Sequence, residues 1–147
     1  MRRALRPGAI GLIVLLILIQ LVPYGRAHSD PSPSQSVRFS SAATQRLFDG
    51  ACADCHSDHT SWPVYSNVAP VSWLVQRDVD DGRRAMNLSE WDKGHPDLGQ
   101  IQQVILGGGM PPLQYKVIHG KGRLSSAEKR QLADGFREIF NSSPGTP

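Results

Sequence analysis

Cysteine is scarce in these 147 residues: Cys52 and Cys55 are the only two. Structural zinc sites come as two tight ligand pairs, and no second pair exists here, although Cys52, Cys55 and His56 or His59, with His95 or His119 as a fourth, are the side chains such a site would draw on. A disulfide between cysteines three apart would close too small a ring to restrain the unfolded chain much. Strand patterns are absent or weak, so the two thiols do not read as a thioredoxin-like pair, which sits at a strand end in a βαβ unit. The chain also lacks a hydrolytic triad, a phosphate loop and a metal-binding carboxylate cluster.

Acidic residues are missing ahead of His28, where Arg2, Arg3, Arg6 and Arg26 stand alone. Of 16 Lys+Arg and 13 Asp+Glu, 12 bases and 13 acids remain beyond that point, a net of −1. The basic balance therefore belongs to the N-terminus. No basic stripe with interleaved aromatics is left, which argues against a nucleic-acid partner.

What the two cysteines do form is Cys52-Ala53-Asp54-Cys55-His56. C-x-x-C-H is the attachment signature of a c-type haem. Two thiols add across the two porphyrin vinyl groups, and the adjacent imidazole reaches the iron from the proximal face. One covalent haem c is expected, held by Cys52, Cys55 and His56.

The N-terminal arginines precede an uncharged apolar run from Gly8 to Tyr24. As a helix it would measure about 25 Å, against a hydrocarbon core of about 30 Å, a marginal length for spanning. Gly25-Arg26-Ala27 offers small residues to a signal peptidase, so cleavage after Ala27 is open, but Pro23-Tyr24-Gly25-Arg26 has the character of an interfacial stop. The expectation is a retained signal anchor or transmembrane helix over 1–27. It would keep the arginines cytoplasmic and carry the remainder to the extracytoplasmic, periplasmic side of the cell membrane. Residues 28–41 are Ser/Pro-rich and read as a linker, 42–141 as one domain and 142–147 as a flexible tail.

Within the domain the signals are helical. Ala42 to Asp49 fits a helix stopped by Gly50, and Val71 to Arg84 a second, with Val71, Leu74, Val75 and Val79 as its apolar repeat. Pro96 to Leu106 fits a third, opened by its proline and ended by Gly107-Gly108-Gly109. A last helix starts at Ser125 with a capping-box Glu128 and buries Leu132, Ala133, Phe136, Ile139 and Phe140. The fold class expected is all-α, a small cytochrome c-like domain around its haem.

A second iron ligand would decide between electron transfer and small-molecule chemistry. Met110 is the leading candidate, in Gly107-Gly108-Gly109-Met110-Pro111-Pro112, where glycines admit a flat cofactor and prolines stiffen the loop. His119, in a Gly/Lys-flanked loop, is the main competitor or a propionate partner. His59 shares the side of His56, His95 is a further competitor, and Met86, at a helix end, reads as core. Arg83 or Arg84 is a further possible propionate partner.

The stretch Cys55-His56-Ser57-Asp58-His59-Thr60-Ser61-Trp62-Pro63-Val64-Tyr65-Ser66 resembles the bacterial haem-binding domain family, whose pattern runs C-H-S-N-x-T and then W-P-W-Y-S. The likeness continues through Ala69-Pro70-Val71-Ser72-Trp73, Gly82-Arg83-Arg84, Asn87-Leu88-Ser89-Glu90-Trp91, Met110-Pro111-Pro112, Tyr115, His119 and Leu124-Ser125. Leu21 to His28 is similar to the membrane-proximal segment of such proteins. Asp58, His59 and Val64 depart from the pattern. The resemblance implies Cys52, Cys55 and His56 as haem-binding residues and Met110 as the second ligand; it implies no reaction. Trp62, Tyr65, Trp73 and Trp91 serve as core or haem wall.

Three functions stay open. The first is a membrane-tethered electron carrier with His56 and Met110 on the iron, not an enzyme, passing electrons to redox partner proteins that the sequence does not name. The second is a haem-based sensor or peroxidase-like enzyme with a displaceable distal ligand. The third is a module that uses haem mainly to fold.

Overall fold

The computed structural model describes residues 2–142, with side chains from Pro7 onward; the tail residues after Ser142 lie outside the described residues. Among the described residues seven α-helices are joined by loops and short 3₁₀ turns, and there is no strand, only an isolated bridge between Gln35 and Glu90. The helices are α1 (Arg2–Leu18), α2 (Ala42–Ala51), α3 (Ala53–His56), α4 (Val71–Ala85), α5 (Leu98–Leu106), α6 (Leu113–Ile118) and α7 (Ser126–Ser142).

The core lies where α2, α5 and α7 meet. Phe48 of α2, Ile101 and Ile105 of α5, and Leu132, Phe136 and Ile139 of α7 are all buried. Phe39 meets Phe136 edge-on at 5.1 Å, and truncating a ring packed this way costs about 3–5 kcal/mol. Gly135 lets α7 approach, because a Cβ there would stand 2.7 Å from both Phe39 and Thr44. The stripe expected on the last helix is the one that is buried, with Phe140 only half-buried. The capping box is formed: the Ser125 amide and hydroxyl both donate to Glu128 at 2.7 Å, and the Glu128 amide donates back to Ser125 Oγ at 3.3 Å.

Four expectations need correction. Gly50 does not stop α2, which continues to Ala51; the Lys121 side chain packs over Gly50, and the Cys52 amide closes the helix on Phe48 O at 2.8 Å. Pro96 is not in the third helix, since Asp97 caps it by accepting from the Gln100 amide at 2.8 Å, a stronger start than proline provides. On α4 the buried face is Ser72, Val79 and Gly82, while Val71 and Leu74 are exposed. A repeat of branched residues could not reveal that the contact face is set by a small residue.

The segment 28–41, read as a tether, packs on the domain instead. Val37 N donates to Leu88 O at 2.9 Å, Asp30 pairs with Arg83 at 2.9 Å, His28 stacks on Trp62 at 4.6 Å, and Phe39 is buried. Its serines and prolines hid one aromatic anchor and a set of backbone partners.

α1 has 17 residues, followed by a 3₁₀ turn at Ile19–Leu21; among the described residues no helix is long and apolar enough to cross a membrane. The exit from α1 is nevertheless docked. Gln20 clasps the backbone of Ala69, donating to its carbonyl at 2.9 Å and accepting from its amide at 3.0 Å, and Gly25 sits where a Cβ would meet Ser72 O at 2.3 Å.

Candidate functional site

The C-x-x-C-H run occupies the corner between α2 and the single turn of α3. Cys52 ends α2, and its carbonyl accepts from the amides of Cys55 at 3.1 Å and His56 at 2.9 Å, which turns both cysteines and the histidine to one side. α4 packs directly on this corner, because Gly82 has no Cβ; one would lie 2.4 Å from Cys55 O. Burial pushes both thiols up to about 12, with Cys55 adding to the effect on Cys52, and Asp78 and Asp54 adding to that on Cys55.

His56 is held at both ends of the residue. Its carbonyl accepts from the Leu88 amide at 2.9 Å and its Nδ1 lies 2.9 Å from Met86 O. A carbonyl only accepts, so Nδ1 carries the proton and Nε2 keeps its lone pair. Burial lowers the ring's pKa, outweighing the carbonyls of Met86 and Gly82, and favours the neutral imidazole that binds metals.

Cys52, Cys55, His56 and Met110 line one open cavity of about 390 Å³, closed on its sides by Gly82 of α4, Pro111 and Tyr115. That is within the size range of cofactor clefts. Met110 is 40% exposed, on the loop between α5 and α6. The loop folds back on α5: Gly109 N donates to Val104 O at 3.0 Å, and Gly108 adopts φ +77, a conformation that favours glycine.

The competing ligands are elsewhere. Met86 is buried in the core, His59 is exposed and lines neither cavity, and His95 stacks on Trp91 at 3.8 Å. His119 faces a smaller second cavity of about 80 Å³ that borders the first through Cys55, Asp78 and Tyr115. It shares a hydrogen bond with Tyr65 Oη through Nε2 at 3.1 Å, and its buried Nδ1 has no partner. Among the described residues no group of three or more His, Cys, Asp or Glu converges in the manner of a metal-ion site.

Sequence reasoning gave Tyr115 no chemical role and considered Arg83 only for a propionate. Tyr115 donates to Asp54 Oδ2 at 2.7 Å, inside the C-x-x-C-H run, and stacks on His119 at 4.2 Å. Burial first, then Asp54, raises its phenol. Arg83, considered for a propionate, is instead occupied within the fold: it donates to Ser57 O at 2.9 Å, Ser29 O at 3.0 Å and Thr60 Oγ1 at 3.0 Å besides pairing with Asp30. The i+3 and i+4 spacing of α4 gave no hint of these loop partners.

The donor set suits a c-type haem: two thiols and a neutral imidazole from one helical corner, a thioether lining the same cavity, and a glycine that only a close helix crossing requires. Residues 14–138 match the profile described as Haem-binding domain. The chain belongs to that family. This haem-binding domain is also 24% identical to Cytochrome c peroxidase Ccp of Escherichia coli (strain K12), over 90% of this chain and 32% of that protein. The chain thus spans about a third of the length of that relative. No solved structure matches it.

Proposed function

We propose that the protein is a monohaem c-type electron carrier, its haem bound covalently by Cys52 and Cys55 and its iron ligated by His56 and Met110. One observation carries the reading: His56 and Met110 border the same cavity as both cysteines, with His56 Nδ1 committed to Met86 O. Bound there, haem supplies a one-electron ferric/ferrous couple. The chain's part is to keep the imidazole neutral and oriented, to present a thioether from the Gly/Pro loop, and to limit water on the proximal side by packing α4 through Gly82. If His56 and Met110 both hold the iron, no vacant place would be left there for a substrate. The engagement of His119 Nε2 by Tyr65 supports Met110 over His119 as the second ligand.

Attachment to the outer face of a membrane completes the proposal. The apolar residues of α1 from Ile10 to Leu18 are exposed among the described residues, and α1 with its 3₁₀ turn would supply the anchor. The haem domain would then be held close to the bilayer by the Gln20 and Gly25 contacts, facing redox partner proteins.

A second reading has its own support. Met110 is partly exposed on a glycine-rich loop, and the curated relative bears the name of a peroxidase. A displaceable Met110 would give a peroxidase-like enzyme or sensor. Absorption spectra of the purified protein, oxidised and reduced, with and without carbon monoxide, decide between the two: a carrier leaves carbon monoxide unbound, and rapid binding with peroxide turnover overturns it.

A further inference from the structure

Asp58 stands two residues after His56, fully buried at 0% exposure, and its Oδ2 has no hydrogen-bond partner. Its other oxygen accepts from Asn87 Nδ2 at 2.7 Å and lies 3.9 Å from Arg83 Nε. Arg83 is shared with a second carboxylate, Asp30, at 2.9 Å. Glu90, 3.4 Å from Asn87 Nδ2, completes the group and is paired with Lys93. Three carboxylates thus face two cations, and the least compensated of them is Asp58.

The link from this charge to the histidine is short and rigid. Asp58 N donates to Ser89 Oγ at 3.0 Å, Leu88 N donates to His56 O at 2.9 Å, and Met86 O takes the His56 Nδ1 proton. The stretch 86–89, extended at Met86 and turned at Leu88 and Ser89, therefore holds the imidazole through Met86 O and the carboxylate through Asn87 Nδ2.

We propose that Asp58 is a tuning residue, a fixed negative charge behind the proximal histidine that lowers the reduction potential of the iron; the inference rests on the haem reading above. Ferric haem carries one more positive charge than ferrous haem, so a buried anion favours the ferric form, and the exclusion of solvent at Asp58 weakens screening of that attraction. Arg83 acts in the opposite sense. The redox event is a one-electron reduction in which no bond or proton at these residues is exchanged.

The test is a spectroelectrochemical titration of the full haem-loaded chain at constant pH, using Asp58→Asn and Arg83→Gln. Asparagine keeps an acceptor for Asn87 and puts an amide where Oδ2 has no partner. Asp58→Asn should raise the potential, by about tenfold in the ferrous to ferric ratio, or about 59 mV for one electron. Arg83→Gln should lower it, while the ligation bands of both match those of the unmutated protein. Opposite signs separate charge from loosening, which would move both variants the same way. An unchanged or lowered potential in Asp58→Asn, or shifts of one sign in both, overturns the proposal, and Asp58→Asn decides alone if Arg83→Gln does not fold. A haem that acidified organic solvent extracts from the unmutated chain would overturn the covalent reading instead.

Discussion

Gly82 of α4 and Cys55 of the haem motif are in backbone contact, so close that a methyl group on Gly82 would lie 2.4 Å from Cys55 O and 2.7 Å from Cys55 Cβ. Both positions are ordinary helix residues, and the contact couples the packing of α4 to the placement of the Cys55 thiol. Gly82→Ala should force the two elements apart at a cost of about 1–3 kcal/mol, as overpacking does. Urea denaturation and the haem-to-protein absorbance ratio should fall together. A variant with unchanged stability and full haem content would show that the crossing is not tight.

Replacing Met110 by alanine should open the iron to carbon monoxide and lower the potential, because thioether ligation favours ferrous iron. His119→Ala should leave the ligation spectrum intact, since the Nε2 of His119 is turned to Tyr65. If His119→Ala alone admits carbon monoxide, electron transfer survives with a different ligand.

The thiols give a pH test. Their ionisation in the folded chain is pushed up to about 12, from about 8.5 in an unfolded one. Between those values the unfolded state releases protons that the folded state retains, so stability present below pH 8.5 is lost as pH rises. The haem-free chain should show this loss and the thioether-linked chain should lack its thiol component. At pH 8.5 iodoacetamide should alkylate the haem-free chain slowly, and rapidly once urea unfolds it; equal rates would contradict the raised ionisation of these half-buried thiols.

Retention of the N-terminal helix is read directly by intact mass. Protein extracted from membranes should include residues 1–27 and keep its haem on denaturing electrophoresis. A mature chain beginning at His28 in the soluble fraction would remove the anchor from the proposal.

Much of the candidate site was legible in the linear chain because a C-x-x-C-H run is itself a local feature. Cys52, Cys55 and His56 need only their spacing within one helical turn, and a Met between glycines and prolines announces a loop rather than a core position. The helices were legible for a related reason: caps such as Ser125 with Glu128, and apolar repeats such as Ile101 with Ile105, are short-range features. Their ends were less so where a tertiary contact intervened, as Lys121 does over Gly50.

What only the tertiary structure decided is how distant segments meet. The sequence carried the motif, the family and the all-helical class, but not that Met86 supplies the carbonyl for His56 Nδ1, that Arg83 is occupied by four loop partners, or that Asp58 is buried with an unpartnered oxygen. Nor did it show the Ser/Pro segment folded onto the domain through Phe39. A motif is fixed by covalent neighbours, whereas the burial of a charge, the tautomer of a histidine and the seat of an apparent linker depend on which remote groups share the same small volume.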